Sequence, residues 1–377
     1  MLSLYVHLPW CVRKCPYCDF NSYTASDDVP RKRYVRALIA DITREAQHAR
    51  DRPLQTVFLG GGTPSFFPPD DIAEIVDAIH ASFRVAGNAE ITMEANPGTV
   101  ESGAPAGYRD AGINRLSLGA QSFDAAMLER LGRLHSVADI ERSVSEAREA
   151  GFDNLNIDVM FALPGQTTDQ ALADLEAAAA LEPEHLSWYQ LTLEPNTVFY
   201  ARPPDGLPAG DKAWDMQLAG QSRLAELGYR QYEVSAYARP GHECRHNLNY
   251  WEFGDYLAVG AGAHGKLTAD SGPLRYQKPA NPLAYMAAME SGDRPEMQAV
   301  DAADRPFEFM LMATRLVDGF DLARFEATTG LPAADLESQM RDALDKGLLE
   351  RTGGQRVRPS ALGRRFLNDL QAGFLPD

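Results

Sequence analysis

Apolar, β-branched-rich runs recur six times through the first half of the chain. They are 2–9 (LSLYVHLP), 56–62 (TVFLGGG), 90–97 (EITMEANP), 115–121 (RLSLGAQ), 154–165 (NLNIDVMFALPG) and 185–195 (HLSWYQLTLEP). Helical spacing fills most of the gaps between them. Residues 30–50 put Tyr34, Leu38, Ile42 and Ala46 on one face, and 68–83 put Ile72, Ile75, Val76 and Ile79 on one stripe. Residues 136–151 start with Ser and stop at Gly, as a capped helix does. Alternating strands and helices specify a parallel sheet. No dinucleotide-type G-x-G-x-x-G loop interrupts the six units. The expected α/β architecture is therefore a curved, partial (β/α)6 barrel of TIM-like type, with an open doubly wound sheet as the alternative.

The pattern changes in the second half. Residues 201–211 (ARPPDGLPAGD) read as a linker out of the barrel. A helix over 211–227 and a strand over 231–237 follow, and then the polar-aromatic stretch 244–265. From about residue 300 short helices lead to a hairpin with a Gly-Gly turn and a last helix, a winged-helix-like α+β module. The expected division is 1–200, 201–299 and 300–377. Residues 301–377 hold 10 Lys/Arg against 13 Asp/Glu, which suits a packing or protein-contact module better than a DNA reader.

The whole chain carries 36 Lys/Arg against 53 Asp/Glu, a net charge of −17. That balance argues against a non-specific binder of nucleic acid or anionic membrane. Four cysteines in 377 residues make no disulfide framework. The N-terminus lacks a secretory pattern, and no run approaches the ~20 apolar residues of a membrane span. A reducing, cytoplasmic setting is expected.

Three of the four cysteines, Cys11, Cys15 and Cys18, lie directly after the first apolar run, with C-x3-C-x2-C spacing. That is the carboxyl end of a barrel strand, where active sites of this architecture gather. A structural zinc site closes with four ligands, often as two C-x2-C pairs. A closed iron–sulfur cluster also takes four cysteines, so three leave one iron open to an exogenous ligand. A zinc knuckle or unconnected thiols are the plainer alternatives. GGGTPS (60–65) ends the second run, either as a tight turn or as a backbone approach to a ligand. Glu94, Gln121, Arg133 and Asp158 are polar or charged at or beside strand ends, where burial is costly without a partner. They suit either an ion-pair network or a pocket for a zwitterionic, hydroxyl-rich ligand.

With an aromatic before its last cysteine, the C-x3-C-x2-C loop resembles the signature of the radical S-adenosylmethionine (radical SAM) superfamily. LYVHLPWCVRKCPYCDFN, LGGGTPS, EANPG, RLSLGAQSF, NIDVMFALPGQT, CRHNLNYW and GAGAH together resemble its coproporphyrinogen III dehydrogenase-like family, over nearly the whole chain. The resemblance implies a 4Fe–4S cluster on Cys11, Cys15 and Cys18, with S-adenosylmethionine on the open iron. It also implies that Tyr5, Gly61, Gly62, Thr63, Glu94, Gln121, Arg133, Asp158 and Thr192 line the S-adenosylmethionine site. Thr192 departs from the small apolar residue expected there.

One branch of the family oxidatively decarboxylates coproporphyrinogen III in porphyrin biosynthesis. The other, the HemW type, consists of haem chaperones. Three features favour the chaperone branch. Phe20 stands where the enzyme has a further cysteine, only ten residues precede Cys11, and HNLNYW (246–251) resembles the H-N-x-x-Y-W element of the chaperones. His246 is then the candidate axial haem ligand, with Tyr250 and Trp251 to stack on the macrocycle. Cys244 is a haem thiolate or an inert thiol. His264, at the end of an apolar, Gly-rich run, edges the adenosine pocket or caps the strand. Expected partners are haem, haem-accepting proteins that include membrane-associated ones, and a flavodoxin- or ferredoxin-type electron donor if S-adenosylmethionine is cleaved. A radical SAM enzyme on coproporphyrinogen or another substrate is the competing reading.

Overall fold

The computed structural model describes residues 1–26, 28–98 and 104–376. The six expected strands form as β1 (Leu2–Leu8), β2 (Leu54–Gly61), β3 (Val85–Ala95), β4 (Arg115–Gln121), β5 (Leu155–Phe161) and β6 (His185–Gln190). Each pairs in parallel with the next. Their near-continuous apolar character follows from burial on both faces. Helices Arg31–Glu45 and Pro69–Ser82 bury the stripes read from their spacing, except Ala46, which falls half-buried in the turn after the first. Helix Val137–Glu149 begins with a reciprocal Ser136–Asp139 capping box, and helix Thr168–Ala180 with one between Thr167 and Gln170.

The sheet is larger than the periodicity suggests. The remaining strands are β7 (Arg230–Glu233), β8 (Ala236–Ala238), β9 (Asp255–Val259), β10 (His264–Ala269), β11 (Gly272–Gln277) and β12 (Gln298–Ala299). The order across the sheet is β12-β11-β10-β9-β1-β2-β3-β4-β5-β6-β8-β7, so it is open, with β12 and β7 at its edges. β9 pairs in parallel with β1 and adds a seventh parallel strand. The run LAVGAGAHG is therefore two strands and a turn, not one strand. Gly260 and Gly262 turn the chain at φ +102° and +76°, in the left-handed region that favours glycine. His264 consequently opens β10 rather than ending the strand before it.

A buried charge cluster fixes that turn. Lys278 Nζ donates to Asp41 (2.6 Å) and Glu45 (2.7 Å), and all three side chains are at most 5% exposed. The Tyr285 hydroxyl donates to Asp41, the Tyr276 hydroxyl to Glu45, and the Gly260 N–H to Asp41. Every charged oxygen named here has a donor, which burial requires.

The C-terminal segment has its own core, built on Phe309, Met310, Phe325, Leu336, Met340 and Val357. The hairpin pairs β14 (Leu349–Gly353) with β15 (Arg356–Pro359), after a short strand β13 (Phe320–Asp321). β13 also pairs with β15, so this sheet has three strands rather than the two expected from sequence. Two short helices, Ala361–Arg365 and Leu367–Ala372, replace the single last helix. Among the described residues, no helix is long and apolar enough to cross a membrane.

Candidate functional site

The three cysteines lie on the loop that leaves β1. Residues Trp10–Cys11 pair in parallel with Tyr23–Thr24, which closes the loop at its base. Cys11 is buried, while Cys15 and Cys18 are half-buried. Burial pushes the Cys11 and Cys18 thiols up, and each is raised further by the thiols beside it. The three thiols therefore share one neighbourhood. Among the described residues no three His, Cys, Asp or Glu side chains form a single-ion site. A cubic cluster takes each thiolate at a separate corner, and three thiols on one loop suit three of its irons.

The glycines at the end of β2 hold this loop in place. A Cβ on Gly62 would stand 2.7 Å from the Pro9 carbonyl carbon, and one on Gly61 would stand 2.4 Å from the His7 ring. The Gly62 N–H donates to the Leu8 carbonyl and the Thr63 N–H to the Trp10 carbonyl. The glycines thus let the backbone approach the root of the cysteine loop, and Gly61 also lines a cavity. From the other side, the Asn21 amide donates to the Ala261 and Ala280 carbonyls at 2.9 Å.

Arg133 reaches back to the loop. Its Nη1 lies 3.5 Å from Cys15 Sγ, and its Nη2 donates to Asn96 Oδ1 and the Gly119 carbonyl at 2.7 Å. Its Nε is buried with no hydrogen-bond partner. Asn96 also donates to the Thr63 hydroxyl. Glu94, on β3, accepts one hydrogen bond, from the Gly61 N–H at 3.1 Å. Burial, then the nearby Asp158 carboxyl, raises its pKa from 4.5 to about 7. Asp158, on β5, accepts from Ser117 and Asn156. Gln121 takes φ +72° at the end of β4 and accepts the Tyr189 hydroxyl at 2.7 Å. A non-glycine residue held there is costly, and such strain clusters at ligand sites.

Of the two readings of these polar residues, the ion-pair network does not form. No salt bridge among the described residues involves Glu94, Arg133 or Asp158. The chain instead leaves a carboxyl without a cation and a guanidinium without a carboxylate. A ligand carrying both an ammonium and a carboxylate complements that pair.

The Glu94 environment has a measurable cost. Between pH 4.5 and about 7 the folded chain holds a proton that the unfolded chain has released. Stability therefore falls as pH rises through that window, by up to about 3 kcal/mol. Glu94→Gln is expected to unfold at higher urea than wild type at pH 8, with the gap closing toward pH 4.5. Equilibrium denaturation at both pH values checks this.

A cavity of about 500 Å³, within the size range of small-molecule sites, takes in Glu94 but not the three cysteines, Gly62, Thr63, Gln121, Arg133 or Asp158. Cys15, Thr63, Asn96 and Arg133 border a separate small pocket. Tyr5, Gly61 and Glu94 line the cavity together with Tyr250, Trp251, Phe253, Tyr256 and Arg275. Phe20 borders it and is 57% exposed. Sequence reasoning missed His7, Tyr256, Arg275 and Met312, which also line it, and Asn96, which orients Arg133 and Thr63.

One expectation is corrected, that of His246, and two further candidates, Thr192 and Cys244, stand off the cavity. His246 is on helix Arg245–Trp251, fully buried, with Nδ1 2.8 Å from the Thr56 hydroxyl and Nε2 2.9 Å from the Tyr250 hydroxyl. Both ring nitrogens are occupied, so it cannot ligate iron in this arrangement. Thr192 is exposed on the loop after β6 and, like Gly62, Thr63, Gln121, Arg133 and Asp158, does not line the cavity. Cys244 is buried, and burial with Glu90 beside it pushes its thiol up to about 12, so it is an inert thiol rather than a haem thiolate.

The family model of the radical SAM superfamily matches residues 5–178, and that of the HemN C-terminal domain matches residues 300–366. The chain is 44% identical to heme chaperone HemW of Escherichia coli, over 100% of this chain and 98% of that one. It is 33% identical to heme chaperone HemW of Bacillus subtilis, over 100% and 99%. Among solved structures, the radical SAM enzyme coproporphyrinogen III oxidase (HemN) from E. coli superposes with a TM-score of 0.81 at 24% identity. That match covers 99% of this chain and 89% of the other, and it shows a shared fold. The chain belongs to the radical SAM superfamily and, within it, to the HemW family.

Proposed function

We propose that this chain is a cytoplasmic haem chaperone, which binds haem and passes it to haem-accepting proteins. The observation that carries the reading is similarity along the whole length to proteins named heme chaperone HemW, at 44% identity. Phe20, exposed at the cavity edge in place of a further cysteine, supports it.

In this reading Cys11, Cys15 and Cys18 hold three irons of a 4Fe–4S cluster. Arg133 and Glu94 receive the carboxylate and ammonium of S-adenosylmethionine, and Tyr5, Gly61, Gly62, Thr63, Gln121 and Asp158 complete its site. Together the two cofactors supply one-electron chemistry at a sulfonium. A flavodoxin- or ferredoxin-type donor enters only where that chemistry is used. Haem occupies the part of the cavity walled by Tyr250 and Trp251. Segment 300–377 offers a docking surface for an acceptor, a membrane-associated one included.

The test is transfer. Protein reconstituted anaerobically and loaded with hemin is mixed with an apo haem protein, and the acceptor's absorbance is followed. Appearance of the acceptor's holo spectrum is expected. Conversion of coproporphyrinogen III to protoporphyrinogen IX, with no transfer of haem, would contradict the proposal.

A further inference from the structure

Haem in the cavity needs a donor atom for its iron, and the occupied nitrogens of His246 leave that role open. His7 lines the cavity, but its Nδ1 faces the Tyr5 hydroxyl at 3.0 Å and its Nε2 the Asn21 carbonyl at 2.8 Å. The Tyr250 hydroxyl is engaged by His246, and the Tyr256 hydroxyl accepts from Arg275 at 2.6 Å. His264 differs. It lines the cavity, its residue surface is exposed, and neither ring nitrogen has a hydrogen-bond partner among the described residues.

We infer that His264 is the axial ligand to the iron of haem held in this cavity, an inference that rests on the proposed haem binding. The position is built rather than incidental. His264 opens β10, directly after the Gly260–Gly262 turn that Asp41 and Tyr34 fix by accepting the Gly260 N–H and meeting the Ala261 N–H. The ring therefore stands on a rigid edge rather than a free loop. Burial, then the Arg275 charge, holds it below its ordinary pKa, so the imidazole is neutral and keeps a lone pair at neutral pH. Tyr250, Trp251 and Phe253 supply flat apolar wall, and Arg275 supplies a positive charge for a propionate.

The test titrates hemin into the anaerobically reconstituted full chain and into His264→Ala, His246→Ala and Met312→Leu. Reduced complexes are then read by resonance Raman for the iron–imidazole stretch. His264→Ala is expected to lose that band and to weaken hemin binding about tenfold or more. Added imidazole restores the band, which a merely structural role would not allow. Met312→Leu, which removes the other soft donor in the lining, keeps the band. His246→Ala keeps it too if its fold is retained by circular dichroism. A band and affinity unchanged in His264→Ala would overturn the inference while leaving haem binding intact. Loss of S-adenosylmethionine affinity in His264→Ala, with the haem band unchanged, would also overturn it, and would place the residue at the adenosine. Absence of saturable hemin binding by wild type would overturn the proposed function and this inference together.

Discussion

Lys278→Met is expected to destabilise the fold by about 3–5 kcal/mol, a large share of a domain's net stability. The lysine neutralises two carboxylates, Asp41 and Glu45, at 2.6 and 2.7 Å, and none of the three is more than 5% exposed. Asp41 already has a raised pKa because burial outweighs the lysine's opposing pull. Without the ammonium, both carboxyls stay buried and must ionise at a cost or keep a proton. The effect should reach the site, because Asp41 accepts the Gly260 N–H and the Lys278 N–H bonds the Ala263 carbonyl. Urea denaturation gives the stability, and hydrogen exchange over 260–264 gives the local loosening. An unchanged midpoint would show that the cluster contributes little.

Cys15→Ser is expected to abolish stable cluster assembly while leaving the sheet and its helices folded. Cys15 sits on the loop, half-buried, and takes no part in the main apolar core that β1 to β6 enclose. A surface-loop substitution of this kind costs stability on the order of 0.5 kcal/mol. Iron and sulfide content after anaerobic reconstitution should fall to a small fraction of wild type, with the far-ultraviolet circular dichroism preserved. If the variant instead unfolds, the cluster is a structural staple and the open iron is not its purpose. The loss should be sharper than for Arg133→Ala, which removes a contact to Cys15 Sγ but no ligand.

Much of this molecule is legible in its sequence, for a definite reason. Six parallel strands buried on both faces leave unbroken apolar runs, and their crossover helices leave stripes such as Ile72, Ile75, Val76 and Ile79. The cysteine loop is legible from its C-x3-C-x2-C spacing, and the family resemblance, not the spacing alone, implies a cluster on it. The outer strands are harder to read. β9 joins β1 across a separation of some 250 residues, and no local pattern encodes that pairing. The same distance hides half of the cavity, where Arg275 and Tyr256 meet residues from β1 to β3 only after the sheet forms.

His246 shows the limit of a motif. In HNLNYW the histidine looks like a ligand beside two aromatics, yet a seven-residue helix turns it inward against Thr56 on β2. The motif's aromatic residues reach the cavity, and its imidazole holds the Tyr250 hydroxyl in place. Conversely, GAGAHG marks His264 only as a residue at the end of one strand, and the Gly260–Gly262 turn shows that it opens another. Glu94 and Arg133 were recognisable as polar residues beside apolar runs. That no salt bridge among the described residues joins them is visible only in three dimensions.

The most direct measurement is an anaerobic hemin titration of the reconstituted chain, followed by absorbance. A haem chaperone with this cavity gives a shifted Soret band that saturates at a fixed ratio of haem to protein. A linear, non-saturating rise indistinguishable from free hemin would contradict haem binding, and with it the chaperone function.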